Sequence, residues 1–191
     1  MPALAYHLRL MALNSTVYNV VVELSDIDRG VYESLDLRVA QHPSESAEYM
    51  VTRVLAYCLE YTDGIEFTQG LSNADEPAIV VRDLTGRLMA WIEVGMPDAE
   101  RLHRASKLAG RVALYTHREM RQVLQQLEGK RVHRAAEIPI YSFGRGFIES
   151  VAPAFDRRVK LSLSVTERHL YLDLSGTSFT TVIEEHRLLE S

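Results

Sequence analysis

Three carboxylates have residue types and spacing that could do chemistry: Glu48, Asp75 and Glu93. Glu93 closes an apolar run, Leu88-Met89-Ala90-Trp91-Ile92, where an ionised carboxylate is expensive unless it is paired, protonated or bound to a cation. Upstream, Asp83-Leu84-Thr85-Gly86 has the pattern of a type I turn closed by glycine, so the flanking segments should form a hairpin. Pairing Asp83 with Arg87 would set Glu93 opposite Pro77, with Asp75 on the same face two residues further along. Glu48 should project from the first turns of a helix that precedes these strands. Three carboxylates around one hollow would make a hard oxygen site, suited to Mg²⁺ or Mn²⁺, with Asp75 and Glu93 as the metal ligands. Such a site would serve phosphodiester hydrolysis, since the cation polarises the phosphate and lowers the pKa of the attacking water. Each acid also has a plainer use. Glu48 would stabilise a helix N-terminus by about 0.3–1 kcal/mol. Asp75 lies in a polar stretch, and Glu93 could form a structural ion pair with Arg53 or Arg101.

The elements that must position these residues follow from the periodicity of the chain. Alternation over Tyr18 to Leu24 and Val31 to Val39, around the turn Asp26-Ile27-Asp28-Arg29-Gly30, predicts a hairpin. His42-Pro43-Ser44-Glu45 opens a helix over 44–61, with Ser44 as its cap and Met50, Val51, Val54, Leu55, Cys58 and Leu59 as its apolar stripe. Strands follow at 65–68, 78–83 and 88–94, then a helix opened by Pro97-Asp98, a strand at 112–115 and a helix over 118–128. The C-terminal third reads as a strand over 136–143, a short helix near 146–152 and three strands at 159–165, 170–174 and 179–183. The order ββ-α-βββ-α-β-α-β-α-βββ describes a mixed α/β domain.

Composition bounds the rest. The chain has 191 residues with 47% apolar and 25% charged residues, as an ordinary globular protein has. One cysteine, Cys58, excludes an internal disulfide and a Cys-rich zinc site, and its place on the apolar stripe makes it a small buried hydrophobe. No apolar run is long enough for a transmembrane helix and the first ten residues lack the features of a secretory signal, so a cytoplasmic location is expected. The net charge of −5 argues against a general coat for DNA, but it is unevenly spread. Residues 41–95 hold nine acids and three arginines, whereas 96–134 hold nine Lys or Arg and four acids. On the helix after Glu93, Arg101 should lie about 50° from the core-facing direction, Arg104 about 110° and Lys107 about 170°. The seven histidines show no metal-ligand spacing, and Gly144-Arg145-Gly146 reads as a turn.

The stretch His42-Pro43-Ser44-Glu45, the phrase Phe67-Thr68-Gln69-Gly70-Leu71, the triplet Asp75-Glu76-Pro77 and the run Trp91-Ile92-Glu93-Val94-Gly95-Met96-Pro97-Asp98 together resemble the YaeQ family of small bacterial proteins, from about Met11 to the C-terminus. The resemblance implies a single compact domain over 1–191, with residues 1–10 as an extension ahead of the family's usual start. It further implies a variant of the PD-(D/E)XK nuclease-like core, α-βββ-α-β, over about 43–116, with extra antiparallel strands from both termini. In that core one acid opens a strand, another lies on its neighbour and a glutamate sits on the helix before them, the roles on which Asp75, Glu93 and Glu48 fall. The lysine that positions or activates water in such nucleases should stand at position 95, where this chain has Gly95. Arg104 is the expected substitute, although a guanidinium stabilises charge and does not readily act as a base. Two expectations result. One is a Mg- or Mn-dependent phosphodiester hydrolase with Glu48, Asp75, Glu93 and Arg104 as its catalytic residues. The other is a non-catalytic module that binds nucleic acid or a transcription-associated protein partner. If nucleic acid is the ligand, Arg101, Arg104 and Lys107 should meet its phosphates.

Overall fold

A computed structural model describes residues 15–69 and 75–188 of the chain. The expected extension 1–10 lies outside the described residues. The alternating segments form long strands, β1 (Thr16–Asp26) and β2 (Val31–Gln41), which pair antiparallel. Helix α1 (Ala47–Leu59) precedes β3 (Ile65–Phe67), β4 (Ile79–Arg82) and β5 (Leu88–Val94). Next come α2 (Ala99–Leu108), β6 (Arg111–Thr116), α3 (Met120–Leu127), β7 (Pro139–Phe143) and the short α4 (Phe147–Val151). Strands β8 (Arg158–Thr166), β9 (His169–Leu174) and β10 (Thr177–Arg187) complete the mixed α/β domain, and the element order agrees with the one read from periodicity.

All ten strands belong to one sheet, ordered β2-β1-β8-β9-β10-β7-β6-β5-β4-β3. The pairs β1–β8, β5–β6 and β6–β7 are parallel, and the others are antiparallel. Residues 50–59 of α1 are all buried, as in a helix enclosed on every side. One large core joins α1 to the apolar faces of β1, β2, β8 and β9 and to Ile92, Val94, Ala113 and Tyr115. Side chains alternate along a strand, so Trp91, Val112, Leu114 and Ile140 turn to the opposite face, where α2 and α3 cover them with Leu102, Ala105, Val123 and Leu127. Helix α1 and helices α2 and α3 therefore lie on opposite faces of β5 and β6.

Several boundaries differ from the expectation. Ser46, not Ser44, caps α1, its hydroxyl accepting from the Tyr49 amide at 3.1 Å, while Ser44 turns back to His42. Residues 135–137 form a 3-10 turn, which shortens the expected strand over 136–143 to β7. The hairpin register needs a larger correction. The Asp83 amide donates to the Arg87 carbonyl as expected, but a bulge between Val81 and Arg82 pairs Arg82 with Leu88 and Val81 with Ala90, leaving Met89 as the extra residue. Beyond the bulge Ile79 faces Ile92, so Glu93 continues toward Ala78 and not Pro77.

Gly64 fixes the far side of this unit. It has φ +81°, its carbonyl accepts from the Arg82 amide at 2.9 Å, and a Cβ there would lie 1.9 Å from the Arg82 carbonyl oxygen. Gly64→Ala should therefore destabilise the protein by about 2–3 kcal/mol, through left-handed strain and a backbone clash. Urea denaturation checks this, and a loss under about 0.5 kcal/mol would contradict the close approach.

Candidate functional site

Glu93 shares the outward face of β5 with Trp91, two residues away, and is 2% exposed. The Trp91 indole Nε1–H and the Arg101 Nε–H both donate to its Oε1, each at 2.6 Å. Arg101 comes from the first turn of α2, where Asp98 caps the helix by accepting the Arg101 amide at 2.8 Å. Its Nη2 donates to the Glu76 carbonyl at 2.5 Å, which ties the approach to β4 onto the same guanidinium. Burial raises the Glu93 pKa, and Arg101 and the Trp91 N–H oppose that rise.

Asp75 and Arg104 form a separate pair at 3.1 Å, with an Asp75 side chain that is 80% exposed. Glu48 lies on α1, which packs on the other face of β5. Hydrogen bonds from its own amide and from the Ser46 hydroxyl hold its pKa below the usual range, with His117 and Arg118 as its cationic neighbours. Glu48 thus does the work of a helix N-terminus. Helix α2 carries Arg101 partly exposed and Arg104 and Lys107 exposed, which agrees with the helical phase for Arg101 against the other two.

Among the described residues, the carboxylates expected to hold a hard cation are already engaged by donors. Glu93 already binds a guanidinium and an indole N–H, and Asp75 is paired outside with Arg104. Among the described residues no three His, Cys, Asp or Glu side chains are grouped to hold a metal ion.

Sequence reasoning missed a second buried pair. Arg53 Nη2 donates to Glu45 Oε2 at 3.0 Å and to the Ala40 carbonyl at 2.6 Å, with both side chains shielded from solvent. Tyr49, on α1, lies within electrostatic reach of both pairs. Burial raises its phenol, with Glu45 and Glu93 adding to the rise and Arg53 and Arg101 opposing it. Its ring also closes on Gly95, which has φ +91° and where a Cβ would lie 3.3 Å from Tyr49 Cε2. A lysine at position 95 would have to displace that ring and adopt a left-handed backbone. Cys58 is buried and its thiol is pushed up to about 12, as expected of a packing residue.

The model of one protein family, described as YaeQ protein, matches residues 11–183. This chain belongs to the YaeQ family. It is 31% identical over 163 residues to the YaeQ protein of Salmonella typhi, covering 85% of this chain and 90% of that one. It is 32% identical over 164 residues to the YaeQ protein of Escherichia coli strain K12, with the same coverage. A crystal structure of YaeQ from Pseudomonas syringae superposes with a TM-score of 0.81 at 30% identity, over 93% of this chain and 97% of that one. The YaeQ structure from Xanthomonas axonopodis pv. citri gives 0.82 at 27% identity, over 92% and 99%.

His117 borders the YaeQ site described here, with its ring edge-on to Tyr49 at 6.3 Å. Both of its ring nitrogens are buried without a hydrogen-bond partner among the described residues. Burial lowers its pKa, Arg118 lowers it further, and Glu48 and Glu149 oppose them. A base with a depressed folded pKa contributes stability above its unfolded pKa and loses it as pH falls through the folded value. Between about pH 7 and pH 5 the wild type should lose stability relative to His117→Phe, which should be as stable as the wild type at pH 7. Urea midpoints across that range check this, and parallel pH profiles for the two proteins would contradict it.

Proposed function

We propose that this YaeQ chain is a non-catalytic variant of the PD-(D/E)XK nuclease-like fold that binds nucleic acid through the outward face of α2. The run α1-β3-β4-β5-α2-β6 supports the nuclease-like core. The observation that carries the non-catalytic reading is the Arg101 guanidinium on Glu93 Oε1, a cationic group bound to the carboxylate that a catalytic metal would need. Gly95 under the Tyr49 ring, in place of a lysine, points the same way.

The outward face of α2 has the charge for a polyanion. Arg104 reaches the exposed Asp75, a surface pair worth no more than about 1 kcal/mol. Lys107 is exposed one turn further on. His103 beside it has a lowered pKa, first from partial desolvation and then from Lys107, His133 and Arg131, which marks a crowded cationic surface. Phosphates reaching this surface would release counterions from the nucleic acid, so affinity would depend steeply on salt.

The test is fluorescence anisotropy of a labelled single-stranded oligonucleotide between about 50 and 200 mM salt. Arg104→Ala and Lys107→Ala should each weaken binding uniformly across sequences and reduce the salt slope by about one. Unchanged slopes, or no binding at low salt, would remove this role. Calorimetric titration with Mn²⁺ should show no specific binding. Metal-dependent cleavage of DNA or RNA that Glu93→Gln abolishes would restore the hydrolase reading, with Asp75 and Glu93 as its metal ligands.

A further inference from the structure

Helix α3 carries two apolar stripes and packs only one of them fully. Val123 and Leu127, four residues apart, are buried in the core beneath α2. Met120 and Leu124, also four apart, remain partly open and form one wall of a cavity of about 1290 Å³, with Val132 and Leu188 across from them. That volume exceeds the few hundred to about 1,000 Å³ of typical small-molecule sites. The wall carrying Val132 is firmly anchored. Arg134, in a left-handed conformation at φ 53°, donates to the Ser106 and Ala109 carbonyls at 2.5 and 2.8 Å and so closes the C-terminus of α2. A groove held in this way spends little conformational entropy on binding.

Charge defines what the groove would accept. Arg121, Lys130 and Arg131 line it and are exposed, and their side chains have no hydrogen bond or ion pair among the described residues. Arg187 and Arg134 also line it but are already paired with Glu185 and Glu137, and Glu128 is the one acid lining the groove among the described residues. This surplus sits on a chain whose net charge is −5. By contrast, in the cavity beside Glu60 the cation Arg111 is already held by that carboxylate at 2.5 and 2.8 Å. No Phe, Tyr or Trp lines the α3 groove among the described residues, so it lacks the stacking platform of a single-strand site. An apolar floor with a cationic rim fits an amphipathic helix laid in a groove.

We propose that this groove docks an acidic amphipathic helix of a partner protein, its apolar stripe on Met120, Leu124, Val132 and Leu188 and its carboxylates toward Arg121, Lys130 and Arg131. The inference goes beyond the nucleic-acid reading: none of these residues belongs to α2, and only Arg131 borders its surface, beside His103.

The test uses the full chain and a fluorescein-labelled model peptide with leucines at i, i+3, i+4 and i+7 and flanking glutamates. Its controls are a scrambled peptide and a version with lysine for glutamate. The acidic helix should bind the wild type and lose affinity by about tenfold or more in the triple variant Arg121→Glu, Lys130→Glu, Arg131→Glu, which should instead take the lysine version. Leu124→Asp should weaken binding as well, and far-ultraviolet circular dichroism confirms that each variant is folded. Binding no tighter than that of the scrambled peptide, or binding unaffected by charge reversal, would overturn the proposal. Displacement of the peptide by an oligonucleotide would assign the groove to nucleic acid instead. A wild-type dimer that the triple variant dissociates would assign it to a second copy of the chain. The salt series on Lys107→Ala reads α2 and is decided separately.

Discussion

One buried carboxylate oxygen at the end of β5 accepts from both a guanidinium and an indole N–H, and the candidate site is organised around that pair of bonds. Glu93 is 2% exposed, so it can stay ionised only with compensation close by. Arg101 supplies it while serving two further ends: its amide is capped by Asp98 and its Nη2 holds the Glu76 carbonyl. One side chain therefore fixes the start of α2 against the end of β5 and the approach to β4. The direction in which α2 leaves that contact decides that Arg104 and Lys107 face outward.

The pair Glu45–Arg53 does a comparable task at the start of α1, where Arg53 links the helix to the segment before its cap and, through the Ala40 carbonyl, to the end of β2. Buried ion pairs of this kind seldom add net stability over apolar packing, but removing one partner alone costs about 3–5 kcal/mol. Tyr49 lies within electrostatic reach of both pairs, and its ring occupies the space beside Gly95. The acids that a nuclease would direct at a cation are thus committed to arginines or to the α1 N-terminus.

Much of the fold was legible in the sequence because alternation and helical spacing were strong, and the whole element order follows from them. The partial exposure of Arg101 and the exposure of Lys107 were equally legible from helical phase. The placement of Glu48, Asp75 and Glu93 was not: spacing suggested that they converge, whereas Glu48 lies on α1 across the sheet from α2 and the partner of Glu93. Leu88 to Ile92 is apolar at every position, so it carries no parity signal by which a one-residue slip shows. The bulge at Met89 introduces such a slip and moves Glu93 opposite Ala78. Spacing also left Arg53 and Arg101 as equal partners for Glu93, and only the packing of α1 gives Arg53 to Glu45. Nothing in the sequence distinguished His117, because the absence of a hydrogen-bond partner is a property of its neighbours.

The central claim is that Arg101 is the resident cation of Glu93. A double-mutant cycle on stability, with Glu93→Gln, Arg101→Met and the combined variant measured by urea denaturation, tests it most directly. With the Arg101 side chain 21% exposed, solvent screening lowers the expected coupling below that of a fully buried pair, to about 2 kcal/mol. A coupling under about 0.5 kcal/mol would show that the two groups act independently, and would contradict the account.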